Sequence, residues 1–300
     1  MRMIVMRIKG GLGNQLFQYA SSYALAKRLN QKLMFDPSFT ANMTSRNYKL
    51  PLLRVDTDEV VCIDQLPPKI KLLKNLYINK ACRVLNLPKH SCGKFVYRLE
   101  TRDEWQPDFF TMQEENLYVD GYFQSEEYFK QHRAKLLKQI QPKYKPENEY
   151  LKTLNDIQKC NSVAVHVRRS DFKKDRCAYH YLLDETYYKR AIEKIRASVI
   201  NPVFFCFSDD MDWVKKNFGE KENFRFMSLH TSHADIDELM LMKNCKHIIA
   251  ANSTFSWWAA WLNENEDAIR IVPEKPYGME GMIPEGWIKM NLALQEGKSN

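Results

Sequence analysis

The residues most able to do chemistry stand together at positions 166–171, where His166, Arg168, Arg169 and Asp171 occur within HVRRSD. They follow at once on the apolar run Ser162-Val163-Ala164-Val165. An apolar run that ends abruptly in charge reads as a buried parallel strand delivering those groups to its C-terminal edge, where open α/β sheets place their ligands. Two adjacent guanidiniums form an anion clamp, because each keeps its charge and offers a rigid fork of donors that matches a diphosphate. Taken alone, such a pair is as readily a surface feature bridged to Asp171.

The surrounding elements decide between these readings. From residue 147 the chain alternates regularly: helix 147–159, strand 162–167, helix 185–197, strand 203–207, helix 210–217, strand 224–227, helix 235–244, strand 248–251, helix 256–264, strand 269–272. That rhythm predicts a parallel, doubly wound sheet whose ligand-facing groups cluster just after each strand. Ser208 and Asp209 follow the second strand of this half, and Asn252, Ser253, Thr254 and Phe255 follow the fourth. Small hydroxyl residues leading into a helix can meet a phosphate, helped by the helix N-terminus, although Asn252 or Ser253 also suits a simple cap. Trp257, Trp258 and Trp261 are expected to pack that helix onto the sheet.

The N-terminal half opens with a strand over 3–8, the Gly-rich turn Gly10-Gly11-Leu12-Gly13-Asn14-Gln15, and a helix whose Leu16, Phe17, Ala20, Tyr23 and Ala24 recur at helical spacing. The turn fits neither a dinucleotide fingerprint nor a Walker loop, but Gly11, Gly13, Asn14 and Gln15 can approach a ligand closely. Short strands are expected at 33–37 and 60–63. A basic amphipathic helix is expected around 69–76, read as a solvated face rather than a membrane anchor. The rest of 66–116 is not legible. A strand at 117–124 runs into an aromatic turn in which Tyr122 and Gln124 are candidates for a sugar-stacking lip, and Ser125 caps a helix reaching about Gln141. Pro142 and Pro146 mark the linker, giving domains at 1–145 and 146–300.

With 300 residues, 44% hydrophobic and 27% charged, the chain is long enough for two globular domains. Lys and Arg outnumber Asp and Glu by 45 to 37, a net charge of +8 that favours an anionic partner. The basic residues are spread rather than striped, which argues against nucleic acid. Seven scattered cysteines, at 62, 82, 92, 160, 177, 206 and 245, form no CxxC pair and predict neither a disulfide scaffold nor a structural zinc. The N-terminus lacks a signal-peptide core and no run approaches the length of a membrane span, so a cytoplasmic protein is expected, with peripheral contact to the inner membrane face left open.

Four segments, GGLGNQLFQYA, GYFQSEEYF, HVRRSDF and LMKNCKHIIAANSTFSWWAAWL, occur in that order and together resemble the bacterial alpha-1,2-fucosyltransferases. HxRRxD is also similar to the motif of the wider core alpha-1,6- and protein O-fucosyltransferase superfamily. The resemblance runs from the first strand to about Pro284 and implies a GT-B-type α/β fold of two facing Rossmann-like domains. It implies inverting transfer of L-fucose from GDP-fucose to the 2-hydroxyl of a terminal galactose, in a glycan such as lipopolysaccharide or O-antigen, without a metal or other cofactor. On this likeness Arg168 contacts the β-phosphate with Arg169 beside it, and His166 lies at the guanosine. Asn14 faces the donor from the opposite domain, and Ser253, Thr254 and Phe255 hold the pyrophosphate. Either Asp237 or Glu238 reads guanine.

The physical reading runs the same way. Inverting transfer leaves negative charge on the departing diphosphate, and a cationic clamp on that group is stronger in the transition state than before it. Asp235-Ile236-Asp237 matches a metal-binding DxD literally but precedes a helix, and so reads as a cap with a base-reader. Asp171 is the candidate general base, with Asp36 and Asp175 behind it; Asp171 equally serves to orient Arg168. Other GDP-sugars or linkages on the same scaffold remain the alternative.

Overall fold

A computed structural model describes residues 2–40, 47–57, 59–62, 64, 66–102, 105–169, 182–219, 223–276 and 280–291. Ser170, Asp171, Asp175 and Cys177 fall outside these, so the general-base candidates Asp171 and Asp175 receive no structural account. The chain divides into two compact units, Met1–Tyr144 and Lys145–Asn300.

The first unit is built from β1 (Met3–Arg7), α1 (Leu12–Leu29), β2 (Lys32–Asp36), α2 (Pro68–Leu73), α3 (Leu76–Val84), β3 (Lys89–Cys92), β4 (Phe95–Leu99), β5 (Asn116–Asp120) and α4 (Arg133–Gln139). Its sheet runs β2-β1-β5-β4-β3, parallel except for β3, which pairs antiparallel with β4 at the edge. Ile4, Val5 and Met6 of β1 are fully buried, as an apolar central strand requires. Helix α1 is buried over most of its length, and Ser21 and Ser22 satisfy their hydroxyls on carbonyls one turn back, Ser21 on Phe17 and Ser22 on Gln18. It ends at Asn30 in the left-handed region, φ 50°, with Lys27 and Arg28 in its last turn.

Three local expectations are corrected here. Of the strand expected at 60–63, the described residues 60–62 form none: Val60 makes only an isolated parallel bridge to Phe35, because the chain pairs there for a single residue, and Ile63 lies outside the described residues. The helix expected from Ser125 to Gln141 is two 3₁₀ turns, Glu126–Tyr128 and Lys130–His132, followed by α4; Ser125 does cap the first turn. Residue Phe129, φ −148° and ψ 0°, interrupts the helix between them. The amphipathic segment at 69–76 is likewise two helices, α2 and α3, split at Asn75, whose extended ψ of 135° and side-chain bond from the Tyr77 N–H start α3 afresh.

The second unit contains α5 (Asn148–Gln158), β6 (Asn161–Val167), α6 (Glu185–Ser198), β7 (Pro202–Ser208), α7 (Met211–Phe218), β8 (Phe224–Phe226), α8 (Ala234–Asn244), β9 (His247–Ile249), α9 (Thr254–Leu262), β10 (Arg270–Pro273) and β11 (Ile288–Met290). The sheet runs β11-β10-β9-β6-β7-β8 and every pairing is parallel. Val163, Ala164, Val165 and Val167 of β6 are fully buried between helix layers. After β8 the chain crosses back to lay β9 on the opposite side of β6, so the strand order reverses between β6 and β9. Such a reversal opens a crevice beyond the carboxyl ends of the two strands.

Candidate active site

At that reversal the ends of β6, β7 and β9 are joined by specific contacts. Asp209, after β7, accepts the backbone N–H of Arg169 at 2.8 Å and pairs with Nε of Arg168 at 3.2 Å. Asp210 pairs with Arg169 Nε at 3.4 Å and caps α7, while Ser208 accepts the Asp210 N–H. The Arg169 guanidinium lies over the Trp213 ring, 4.1 Å from its centroid, and donates to the Leu183 carbonyl. Arg169 is therefore committed to holding the β6–β7 edge, and Arg168 is the more exposed of the pair.

His166 is nearly buried, its ring 5.5 Å from that of Phe255 at the start of α9, which ties the end of β6 to that helix. Burial, with the Arg168 charge beside it, pulls its pKa down to about 3, so the imidazole is neutral. Its Nδ1 is buried without a hydrogen-bond partner among the described residues. Ser253 caps α9 by accepting the Phe255 N–H, and Asn252 and Thr254 are buried beside it. Helix α9 starts two residues earlier than its periodicity predicts, which puts Thr254 and Phe255 in the first turn and the positive end of the helix dipole at the edge that carries Arg168. Trp257, Trp258 and Trp261 are buried, as expected of a helix packed on a sheet.

Asp237, in the first turn of α8, and Glu238, next after it, lie on a helix that packs on α9, and the structure separates them. Asp237 is buried and accepts the Thr231 hydroxyl at 2.6 Å. Glu238 is half-buried, and burial together with Asp235 pushes its pKa up to about 7. The expectation that Asp235-Ile236-Asp237 precedes and caps the helix is corrected: α8 begins at Ala234 with His233 at its N-cap, so both carboxylates lie within the first turn, where Asp235 accepts the Ile236 N–H.

The first unit carries a second group of predicted residues at the carboxyl ends of β1 and β5. Gln124 donates to Asn14 Oδ1 at 2.9 Å, joining the Gly-rich turn to the aromatic turn. Gly10 has φ +80°, and a Cβ there would stand 2.5 Å from the Asn14 amide nitrogen; beside Gly11 a Cβ would meet nothing within 4 Å, so that face of the backbone is open. Gly13 is buried in the first turn of α1. Gln15 is fully buried and spends its amide on the Gly10 and Asn47 carbonyls and the Lys49 N–H, bracing the turn from within. Tyr122 is half-buried under the Lys9 ammonium, 4.7 Å from its ring centroid.

Sequence reasoning missed what holds this second group. Asp120, buried at the end of β5, accepts from Arg7 and Lys9 at 2.6 Å each, from Tyr97 at 2.6 Å and from Asn79 at 3.1 Å, and the two cations hold its pKa well below the carboxylate range against the cost of burial. Asp36, at the end of β2, is bound by Lys74 and Tyr118 and by the Ser38 N–H, with a lowered pKa. Gln18 links the Lys9 N–H to the Gly121 carbonyl. Glu100, after β4, accepts the N–H groups of Tyr122 and Phe123 at 2.6 and 2.8 Å and fixes a turn in which Phe123 has φ +53°. The available signal was the one used at residue 166: MIVMR and NLYVD are also apolar strands ending in charge.

A family model described as glycosyl transferase family 11 matches residues 1–289. The chain belongs to glycosyl transferase family 11. Within it, this family 11 chain is 33% identical to an alpha-1,2-colitosyltransferase of Escherichia coli, over 97% of this chain and 99% of that one. It is 29% identical to the Escherichia coli O-antigen biosynthesis glycosyltransferase WbnK, over 94% and 99%. It is 26% identical to a rat galactoside alpha-(1,2)-fucosyltransferase 2, over 89% of this chain and 70% of the relative. Among solved structures, NodZ alpha-1,6-fucosyltransferase soaked with GDP-fucose matches with a TM-score of 0.52 at 15% identity, covering 87% of this chain and 92% of that one. An Arabidopsis thaliana FUT1 mutant in complex with GDP also gives 0.52, at 12% identity, over 92% and 71%. At such identities the likeness is one of fold, and the family 11 chain has the GT-B-type α/β fold.

Proposed function

We propose that this chain is an inverting galactoside 2-alpha-L-fucosyltransferase that uses GDP-fucose. The observation that supports this most directly is the convergence of Arg168, Asp209, His166 and Phe255 at the strand-order reversal of a family 11 glycosyltransferase. In the reaction, the 2-hydroxyl oxygen of a terminal galactose bonds to the fucose anomeric carbon. The bond from that carbon to the β-phosphate oxygen breaks, and GDP leaves with the electron pair. Arg168 and the N-terminus of α9 with Ser253 and Thr254 take up the charge that develops on the diphosphate. In this reading Arg168 does the work a divalent ion does elsewhere, and the transfer needs no metal or other cofactor.

Glu238 is the guanine reader in this scheme. Asp237 already receives the Thr231 hydroxyl, whereas Glu238 is half-buried and its charge is disfavoured by burial and Asp235. The paired N–H donors of a guanine edge are what such a carboxylate lacks. Neutral His166, with its unpartnered Nδ1, suits the nucleoside. The hydroxyl proton goes to a carboxylate, for which Asp171 remains the candidate. Asp36 is ill suited, because Lys74 and Tyr118 hold it as a weak base. On the first unit, Tyr122 and Asn14 are assigned to the sugars, and Gln124 positions Asn14 through its hydrogen bond.

A second reading keeps the linkage and changes the donor. Colitose is L-fucose without its 3-hydroxyl, and one relative is named for colitosyl transfer. Incubation with GDP-fucose or GDP-colitose and a panel of β-galactosides, with GDP release and product linkage measured, decides the matter. GDP release with a new alpha-1,2 linkage from GDP-fucose is expected. Absence of transfer from GDP-fucose, or another linkage, overturns the assignment. Full activity in EDTA tests the metal-free part. No helix among the described residues is long and apolar enough to cross a membrane.

A further inference from the structure

Between Leu66 and Leu99 the chain carries eight basic residues, at 69, 71, 74, 80, 83, 89, 94 and 98, and not one Asp or Glu. Helices α2 and α3 lie in this stretch. Their inner faces supply Ile70, Leu73 and Cys82 to the core around Tyr97 and Tyr118. Their outer faces should then be polar. They are not: Leu76, Tyr77 and Val84 are 72%, 81% and 76% exposed, and Leu72, Leu85 and Leu87 are exposed with them. These six are more than half of the exposed large apolar side chains of the described residues. On α3, Tyr77, Lys80, Ala81 and Val84 share one face by their i, i+3, i+4, i+7 spacing. Isolated exposed apolar residues need no explanation, but a cluster of this density does.

We propose that the outer surface of α2 and α3, continued by the turn at Leu85–Leu87, docks onto an anionic lipid bilayer. The apolar side chains enter the acyl boundary, and the lysines meet lipid phosphates. Lys69, Lys80 and Lys94 are exposed and carry no ion pair within the described residues, so their charge is available to a surface. Lys71 and Lys89 pair with Asp64 and with the half-buried Glu114, whereas Lys74 and Arg83 turn inward to Asp36 and Glu100. Charge also decides against a second copy of the chain as the occupant, since a two-fold contact through this face would bring lysines against lysines with no carboxylate from 66 to 99 to answer them. The proposal stands apart from the donor and acceptor assignment, because lipid binding requires neither.

The test is co-sedimentation of the full chain with phosphatidylcholine vesicles, with and without phosphatidylglycerol, at low and high salt. Pelleting with the anionic vesicles alone, weakened by salt, is expected. The triple variant Leu76→Ser, Tyr77→Ser, Val84→Ser and the triple variant Lys69→Gln, Lys80→Gln, Lys94→Gln should each lower the partition coefficient by roughly 10-fold or more. All six side chains are exposed, so circular dichroism and melting should not change, and Leu151→Ser with Ile200→Ser, exposed elsewhere, should bind as the parent does. Failure to pellet with anionic vesicles, or pelleting indifferent to both triple variants, overturns the proposal. So does lipid-free, concentration-dependent dimerisation that the apolar triple variant abolishes, which would make the face a contact between copies.

Discussion

Asp209 holds Arg168 by its Nε edge at 3.2 Å while accepting the backbone N–H of Arg169 at 2.8 Å, so one carboxylate after β7 fixes both the side chain and the main chain that leave β6. A guanidinium gripped in this way is already oriented before any anion arrives, which lowers the entropy lost on binding and lets charge stabilisation act at the moment of transfer.

Arg168→Ala is therefore expected to lower kcat by at least ~100-fold, the effect of removing one preorganised donor to developing charge. Arg168→Lys should recover only part of this, because an ammonium lacks the forked geometry. Steady-state kinetics beside a thermal melt checks it: a folded Ala variant with near-parental turnover would remove Arg168 from the clamp.

Gln124→Ala breaks the bond to Asn14 without touching the core. The expected cost is about 10-fold in kcat/KM, equivalent to about 1.4 kcal/mol, with the melting temperature little changed. Asn14→Ala should cost more, since that side chain is the proposed sugar contact and Gln124 only positions it. Equal effects of the two changes would contradict the assignment.

The pH response of His166 has a definite sign. Its folded pKa, about 3, lies below the ordinary 6.5, so the stability gained by keeping it neutral is present above about 6.5 and is lost as pH falls towards 3. His166→Gln should flatten that acid loss in a series of melts. The pH–rate profile should show no inflection near 6.5 that disappears in His166→Gln.

Gly121→Ala tests the cradle after β5. The new Cβ would stand 2.5 Å from Glu100 Cβ and 2.7 Å from the Phe123 ring, a collision with a buried carboxylate and a packed aromatic. A loss of about 1–3 kcal/mol is expected, or on the order of 5 °C in the melting temperature. Glu100 itself, pushed up to about 7 by burial despite two N–H donors, binds protons more tightly folded than unfolded. Its ionisation should thus erode stability as pH rises from about 4.5 to 7. Glu100→Gln should remove that slope.

Much of the second unit was legible in the sequence, because strands buried on both faces are continuous apolar runs and their ends are marked by sudden polarity. HVRR at the end of β6, SDD at the end of β7 and NSTF after β9 needed only that rule and the parallel topology to be placed on one edge. The first unit resisted for the opposite reason. Its β3 and β4 are short, half-exposed strands with Lys, His and Arg among them, so neither period stood out, and the 3₁₀ turns after Ser125 mimic a helix start. Residues in the sequence pattern could be listed as ligand-facing, yet which of them are occupied was beyond its reach. Only the folded chain gives Thr231 to Asp237 while Glu238 stays half-buried, engages Gln15 with backbone and turns Arg169 onto Trp213. It alone turns Tyr77 and Val84 outward from α3. Local sequence sets strand, helix and charge because those depend on near neighbours. The pairing of donors with acceptors depends on groups that can lie more than a hundred residues apart, as Arg7 and Asp120 do, and that is decided by tertiary packing.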